Sequence, residues 1–244
     1  MAASNGAGFN AQKIAAQLNA EMSGNESAAL LRSVIVDLFP GRVALVSSFG
    51  ADSAVLLHMA AEIDRSLPVI FIDTGVLFEE TLAYKDRLVG QLGLSNVVSI
   101  RPEPSLLAAE DPEDFLWASN PDRCCEIRKV APLAKALNGF DAWITGRKQF
   151  QGHLRSNLAL FDFEADRVKV NPLAYWPAAR IANYLNEFAL PRHPLIAKNY
   201  LSIGCMPCTS PVKPGEDSRA GRWRGRGKVE CGLHTLPLYA GADI

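Results

Sequence analysis

The feature that most constrains the fold is an alternation of short apolar runs with segments of helical spacing. Apolar runs at 43–46, 68–72 and 97–100 have the length and composition expected for strands buried on both faces. Between them, apolar residues at 54–63 and 79–92 recur with the period of a helix. Strands that alternate with helices predict an α/β fold, in which helices cover both faces of a mostly parallel sheet.

The remaining segments add elements around this sheet. The same patterns predict two early helices, a helix around the paired cysteines, a further strand, a hairpin and a late helix, in this order: 10–22, 26–39, 124–137, 142–145, 158–170 and 177–188. The chain becomes loop-rich after Pro191, and glycine and basic residues predominate in 213–228. We therefore expect one main domain, 1–209, followed by a mobile C-terminal arm, 210–244.

The composition argues against several classes of protein. The chain of 244 residues is 48% hydrophobic and 21% charged, as in an ordinary globular enzyme, and its net charge is −1. A near-neutral chain has no overall affinity for a polyanion, so we expect no nucleic-acid partner. We find no apolar run of about 18 residues that would predict a membrane span, and no export signal in 1–10. We expect a cytoplasmic protein, and the sequence leaves a homo-oligomer open.

Two polar segments follow neighbouring predicted strands and are candidates for an anion site. After the first strand, a loop of serine and glycine opens a helix, where backbone N–H groups and the helix N-terminus favour a phosphate. The loop lacks the Gly-Lys-Ser/Thr ending of a Walker A motif, and a simple serine-capped turn is the alternative. The candidate substrate-binding residues are Ser47, Ser48, Phe49, Gly50, Asp52 and Ser53, with Asp73, Thr74 and Gly75 after the second strand.

The five cysteines divide into two pairs and one single residue. Cys124 and Cys125 are adjacent, Cys205 and Cys208 form a Cys-x-x-Cys motif, and Cys231 stands alone. Buried structural thiols would not pair twice, and structural zinc usually takes two Cys-x₂₋₄-Cys knuckles rather than an adjacent pair. A [4Fe–4S] cluster is also held by four cysteines, and its larger core tolerates neighbouring ligands on one helix. The pairing thus favours an iron–sulfur cluster over zinc.

Cys231 follows a basic, glycine-rich segment, which gives a lone cysteine a reason to be reactive. Cations near a thiol stabilise the thiolate, and the same cations attract an anionic substrate. The alternatives are a buried cysteine and a basic tail that binds nucleic acid, which the single interleaved Trp223 disfavours. A second basic segment, 146–155, follows a predicted strand, and we expect its Arg147 and Arg155 to contact phosphate or sulfate. The cations before Cys231 are Lys213, Arg219, Arg222, Arg224, Arg226 and Lys228.

These motifs together resemble a known family. The loop Ser-Phe-Gly-Ala-Asp-Ser and the segment 72–75 are similar to nucleotide-binding motifs of the adenine nucleotide alpha-hydrolase-like (PP-loop) superfamily. Cys-Cys, Cys-x-x-Cys and the final Glu-Cys-Gly-Leu-His at 230–234 resemble the bacterial assimilatory adenylyl-sulfate reductases. The resemblance extends from Val43 to His234, which is most of the chain.

The resemblance implies an activity and a role for each motif. Reductases of this family convert adenylyl sulfate (APS) to sulfite and AMP, with thioredoxin as the reductant, in sulfate assimilation and cysteine biosynthesis. The implied catalytic nucleophile is Cys231, and Lys129 is expected between the cluster and the substrate. The implied ligands of a [4Fe–4S] cluster are Cys124, Cys125, Cys205 and Cys208. The implied substrate-binding residues outside the two loops are Lys129, Arg147, Arg155, Arg219, Arg222 and His234.

Three other functions stay open at this point. Phosphoadenylyl-sulfate (PAPS) reductases share the final motif and the mechanism, but they usually lack the paired cysteines. A non-catalytic iron–sulfur redox sensor would keep the cluster without using Cys231. An ATP pyrophosphatase, such as an amidating ligase, would release pyrophosphate from ATP and leaves Cys231 unexplained. The segment 224–229 is also more basic and shorter than the family pattern, which leaves the roles of Arg224 and Arg226 open.

Overall fold

The computed structural model describes residues 9–152 and 155–233. Its described part is built around one sheet of six strands: β1 (Val43–Ser47), β2 (Val69–Ile72), β3 (Val97–Ile100), β4 (Ala142–Ile144), β5 (Phe161–Glu164) and β6 (Arg167–Val170). Their spatial order is β3-β2-β1-β4-β6-β5. All neighbouring strands are parallel except β5 and β6, which form an antiparallel hairpin at one edge. The predicted α/β fold with a mostly parallel sheet is confirmed.

Helices flank this sheet at the predicted places. They are α1 (Ala11–Met22), α2 (Ser27–Arg32), α3 (Ser53–Ala61), α4 (Glu79–Leu92), α5 (Pro104–Glu110), α6 (Leu116–Ser119), α7 (Pro121–Cys125), α8 (Ala131–Ala136) and α9 (Ala178–Glu187). A π-helical segment, Ser33–Leu38, continues α2, and another, Glu126–Val130, joins α7 to α8. Within 9–152 and 155–233, no helix combines the length and the apolar character that crossing a membrane requires.

The order of the strands determines where a ligand can bind. β1 lies between β2 and β4, so the chain runs outward from β1 in one direction and then returns to the other side of it. In open parallel sheets, the connections at such a reversal leave in opposite directions and open a crevice at the carboxyl ends of the strands. Ser47 ends β1 and Thr145 follows β4, so the loops after these two strands border the crevice.

A buried histidine connects the loop after α9 to the helix α4 through a hydrogen bond. His193 is 1% exposed, and its Nδ1 accepts a hydrogen bond from the Leu195 N–H at 3.2 Å. Its Nε2 therefore carries the proton and donates to Thr81 Oγ1, which lies 3.0 Å away on α4. Nearby, the Tyr84 hydroxyl donates to the Pro191 carbonyl at 2.8 Å. Burial lowers the pKa of His193 to about 4, so the imidazole stays neutral in the folded protein.

This histidine is expected to make the fold sensitive to acid. The unfolded chain binds a proton at His193 below about pH 6.5, whereas the folded state resists protonation down to about pH 4. Between pH 7 and pH 4.5 this difference is expected to lower the free energy of unfolding by about 2 kcal/mol. Denaturant unfolding of the wild type and of His193→Gln at both pH values measures the effect. The variant should lose this part of the pH dependence, and equal slopes for the two proteins would contradict the assignment.

Candidate active site

The crevice between the ends of β1 and β4 contains a cavity of about 220 Å³. Its floor and walls come from the loop after β1, the start of α3, the segment after β4 and the loop around Ile203. The helix that follows the paired cysteines contributes Lys129, and the C-terminal segment contributes the remaining wall. Segments that are far apart in the sequence therefore meet at the place that the strand order favours.

The loop after β1, residues 47–53, is the predicted anion loop, and it turns tightly beside the cavity. The Ser47 hydroxyl accepts a hydrogen bond from the Phe49 N–H at 3.1 Å, and Ser53 N–H donates to the Gly50 carbonyl at 3.2 Å. Ser47, Ser48, Gly50, Asp52 and Ser53 all line the cavity, as the sequence predicts for a substrate loop. A side chain at Gly50 would press on the Ser48 hydroxyl, since a Cβ there would lie 3.3 Å from its oxygen.

Phe49 differs from its neighbours in this loop. Its side chain is fully buried, away from the cavity lining, and packs edge-on against Phe71 with ring centroids 5.4 Å apart. Its φ of 46° is in the left-handed region, which turns the backbone sharply at this point. The Phe49 side chain therefore anchors the loop to the core, and its role in substrate binding stays a prediction.

The segment after β2 makes its contacts outside the cavity lining. None of Asp73, Thr74 and Gly75 lines the cavity. The Asp73 carboxylate accepts hydrogen bonds from Arg101 Nε at 2.9 Å and from the Gly75 N–H at 3.1 Å. The Thr74 hydroxyl is 3.3 Å from Cys205 Sγ. The structure thus places this segment beside Cys205, and its contact with the substrate stays a prediction.

Cationic side chains form one wall of the cavity. Burial, together with repulsion from Arg155, lowers the pKa of Arg219 to about 10. Burial and then Arg155 also lower the pKa of Arg147. Two buried nitrogens, Arg222 Nε and Arg147 Nη2, lack a hydrogen-bond partner in the described chain. Such a wall favours an anionic ligand. The cations that line the cavity are Lys129, Arg147, Lys148, Arg155, Arg219 and Arg222.

Two side chains of the cavity were missed by sequence reasoning. Lys148 is 3% exposed, and its Nζ lies 3.1 Å from Asp52 Oδ2, so it neutralises the acid of the anion loop. Burial lowers the pKa of Lys148, although Asp52 acts in the opposite direction. Glu230 contacts both Arg155 and Arg219. The position of Lys148 directly after Arg147 in the basic segment was a usable signal, whereas nothing in the sequence indicated the partners of Glu230.

Cys231 is half-buried and lines the same cavity as the anion loop. Lys129 is buried close to the thiols of Cys205, Cys231 and Cys125. Burial acts to lower its pKa, but the attraction of thiolates at Cys205, Cys231 and Cys125 is stronger and raises it above the ordinary value. The structure therefore brings the lone cysteine, the buried lysine and the anion loop together. His234, which the sequence also predicts as a site residue, lies outside the described residues.

The other four cysteines come together behind Lys129. Cys124 and Cys125 end α7, while Cys205 and Cys208 flank a short 3₁₀ turn. Burial raises the pKa of Cys124 to about 12, and repulsion from the other three thiol groups acts in the same direction. Burial also raises the pKa of Cys125 to about 11. Burial acts to raise the pKa of Cys205, but Lys129 and the Thr74 hydroxyl together lower it.

These four thiols are free in the structure. No disulfide joins the cysteines. Within 9–152 and 155–233, no three His, Cys, Asp or Glu side chains lie close enough to one another to hold one metal ion. The thiols of Cys125, Cys205 and Cys208 are nonetheless close enough to Cys124 to contribute to its raised pKa.

A comparison with known families decides what kind of protein this is. A sequence profile described as "Phosphoadenosine phosphosulfate reductase domain" matches residues 42–211, from the start of β1 to just beyond the Cys-x-x-Cys motif. The chain belongs to this reductase family. The matched range includes the anion loop, the segment after β4 and all four paired cysteines.

Curated relatives place the chain more closely within the reductase family. An adenosine 5'-phosphosulfate reductase from Mesorhizobium japonicum is 55% identical over 83% of this chain and 80% of its own. One from Chelativorans sp. is 53% identical over 82% of each chain. Among solved structures, a phosphoadenylyl-sulfate reductase from Candida auris, crystallised as a phosphate complex, is 26% identical. It aligns with a TM-score of 0.70 over 82% of this chain and 97% of its own.

In this member of the reductase family, residues 210–233 pack over the cavity. Ser210 N–H donates to the Gly221 carbonyl at 2.9 Å, and Trp223 N–H donates to the Cys208 carbonyl at 3.0 Å. The contact is close enough to require glycine, since a Cβ at Gly221 would lie 2.0 Å from the Ser210 carbonyl oxygen. Trp223 is buried beneath this pairing. The predicted mobility of the arm stays a prediction, and the structure gives one packed arrangement of it.

The arm also contains Arg224 and Arg226, whose roles the sequence leaves open. Arg224 is partly exposed and pairs with Glu216 at 2.7 Å, within the arm itself. Arg226 stacks on Trp117 with 4.7 Å between its guanidinium carbon and the ring centroid, and it donates to the Trp117 carbonyl at 2.6 Å. Neither arginine lines the cavity. Arg226 thus ties the arm to α6, just ahead of the paired cysteines.

Proposed function

We propose that the chain reduces APS to sulfite and AMP through a covalent S-sulfonate on Cys231. The observation that carries this proposal is that Cys231 lines the same cationic cavity as the anion loop. A thiol in that position can reach the sulfur of a sulfate group whose neighbouring phosphate occupies the loop. The relatives named adenosine 5'-phosphosulfate reductase support the same substrate.

The first chemical step is a displacement at sulfur. The Cys231 thiolate forms a bond to the sulfate sulfur, and the bond between that sulfur and the bridging oxygen breaks. AMP leaves with the bridging oxygen and its electron pair, and the enzyme retains a Cys–S–SO₃⁻ group. Lys129, Arg219 and Arg222 are proposed to hold the sulfonate oxygens, because all three line the cavity near Cys231.

The second step needs a dithiol, and we propose thioredoxin in this role. One thiolate of the dithiol attacks Cys231 Sγ and releases sulfite, which leaves a mixed disulfide. The second thiol of the donor then resolves this disulfide, so that the donor is oxidised by two electrons and Cys231 returns as a thiol. Such an exchange, and free thiols in general, require a reducing compartment, which supports a cytoplasmic location.

We further propose that Cys124, Cys125, Cys205 and Cys208 hold a [4Fe–4S] cluster. All four sulfurs lie within electrostatic reach of one another. Zinc is usually held by two Cys-x₂₋₄-Cys knuckles, and the adjacent pair Cys124-Cys125 does not have that spacing. The larger core of a four-iron cluster tolerates ligands from neighbouring positions on one helix. When bound, it would supply negative charge and a rigid link between the two cysteine segments, and Lys129 would offset that charge toward the substrate.

APS is the proposed substrate in preference to PAPS. The relatives at 55% and 53% identity are named for adenosine 5'-phosphosulfate, whereas the structure named for the 3′-phosphorylated substrate is 26% identical. Steady-state turnover of the two substrates by the same preparation tests this preference. A higher kcat/KM for PAPS would reverse the proposed order.

The covalent intermediate gives the most direct test of the proposed function. Incubation with APS and no reductant is expected to add about 80 Da to the protein and to release close to one equivalent of AMP. Peptide mapping should place the sulfonate on Cys231, and reduced thioredoxin should remove it with release of sulfite. A redox sensor without catalytic function would gain no mass, and an ATP pyrophosphatase would instead release pyrophosphate from ATP.

A further inference from the structure

Glu230 is the one acid that bridges two of the cavity's arginines in the described chain. Its Oε1 accepts from Arg155 Nε at 2.8 Å and also lies 2.8 Å from Arg155 Nη2. Its Oε2 lies 3.2 Å from Arg219 Nη2, a longer contact. Arg219 Nη2 also donates to the Val229 carbonyl at 3.1 Å. The carboxylate thus occupies a position between two cations that face the cavity.

The charges around Glu230 explain why the ligand-free site needs an acid there. Arg155 and Arg219 are both mostly buried, and repulsion from Arg155 contributes to the lowered pKa of Arg219. Two buried guanidinium groups that face each other are unfavourable without a shared anion. Glu230 supplies that anion from within the chain, whereas a sulfate or phosphate group would supply it from the ligand.

Because the two contacts differ in length and number, an incoming anion would not disturb them equally. Arg155 holds Glu230 through two nitrogens, which fixes the carboxylate strongly. Arg219 holds it through one nitrogen at the longer distance, so this contact is the easier one to exchange. Glu230 directly precedes Cys231 in the chain, so the contact that remains still restrains the thiol.

We propose that Glu230 is an internal counter-ion that the oxyanion of the substrate displaces from Arg219, while its pair with Arg155 positions Cys231. This inference rests on the proposed function for the identity of the oxyanion, which is the sulfate group of the substrate. In the free protein Glu230 competes with anions for Arg219. In the complex it stays on Arg155 and keeps the adjacent Cys231 over the cavity. Glu230 is therefore a positioning residue and also weakens anion binding in the free protein.

The test uses the full chain with Glu230→Gln, and Glu230→Ala as a second variant. Titration calorimetry with inorganic sulfate at constant ionic strength should give a Kd lower by about three- to tenfold in both variants, since the competing charge is gone. The kcat for APS should fall by about tenfold, because Cys231 loses its restraint. A merely structural role for Glu230 would not tighten sulfate binding.

Glu216→Gln is the matched control. Glu216 also pairs with an arginine of the same arm, Arg224, but it does not line the cavity. Its replacement should change neither the sulfate Kd nor the kcat. Unchanged or weaker sulfate binding in both Glu230 variants would overturn the proposal, as would an undiminished kcat. Sulfate binding requires no turnover, so this result is independent of whether the protein forms the S-sulfonate.

Discussion

Serine in place of Cys231 is expected to lower APS turnover by at least about 10³-fold, because a hydroxyl is a far weaker nucleophile than a thiolate near neutral pH. Of the described cysteines, only Cys231 lines the cavity with the anion loop, so no neighbouring thiol can replace it. The measurement is sulfite release with reduced thioredoxin, together with AMP release in its absence. Both should fall equally, because the thiolate acts in the first step.

Ligand binding and iron content distinguish a loss of catalysis from a loss of folded structure in Cys231→Ser. The serine variant should bind AMP and inorganic sulfate with nearly unchanged affinity, since the anion loop and the arginines remain. It should also keep the iron content of the wild type, because Cys231 is not among the proposed ligands. Stoichiometric AMP release by Cys231→Ser would show that another group attacks the sulfate, and the proposed mechanism would then be wrong.

Much of the fold could be predicted from the sequence because its signals are local. The structure has α4 at Glu79–Leu92 and β3 at Val97–Ile100, the same bounds that the apolar spacing predicts. Gly93, in the left-handed conformation, ends α4, as is typical of a helix C-terminus. The alternation also predicts a site at the carboxyl ends of the strands, but which two loops border it depends on the strand order, which the alternation does not determine.

The contacts that were missed depend on segments far apart in the chain. Thr74 follows a strand, as predicted, but its partner Cys205 lies 131 residues later, and no local pattern encodes that meeting. Lys148 could be predicted as a cation near the site, but its pairing with Asp52 depends on how the loops after β1 and β4 face each other. The position of Phe49 in the motif likewise does not show that its side chain points into the core.

The two cysteine pairs show that the sequence also does not determine which group the cysteines bind. Their spacing favours a cluster, and the structure brings the four sulfurs within electrostatic reach, but the identity of the bound group stays a proposal. Lys129 is buried among thiols, which would be costly for an isolated ammonium group. Its burial makes physical sense if negative charge persists beside it, as the thiolates of a cluster would provide.

Serine at Cys125, or separately at Cys208, is therefore expected to remove the proposed cluster. Each variant takes one ligand from a different pair, and iron content should fall from about four atoms per chain to below about one, with loss of the visible absorption of the cluster. Because ligand binding would link α7 to the 205–208 turn, the melting temperature should fall by about 10 °C or more. Metal analysis of anaerobically purified protein and thermal unfolding measure the two effects.

Cys231→Ser is the matched control for this experiment, because it exchanges sulfur for oxygen in the one cysteine that is not a proposed cluster ligand. It should keep its iron and its melting temperature while it loses turnover, whereas the Cys125 and Cys208 variants should lose all three. Zinc at one equivalent in the wild type, or full iron content in either ligand variant, would contradict the cluster. The distinct outcomes follow from the arrangement itself, in which four sulfurs lie behind Lys129 and the fifth lies on the cavity side.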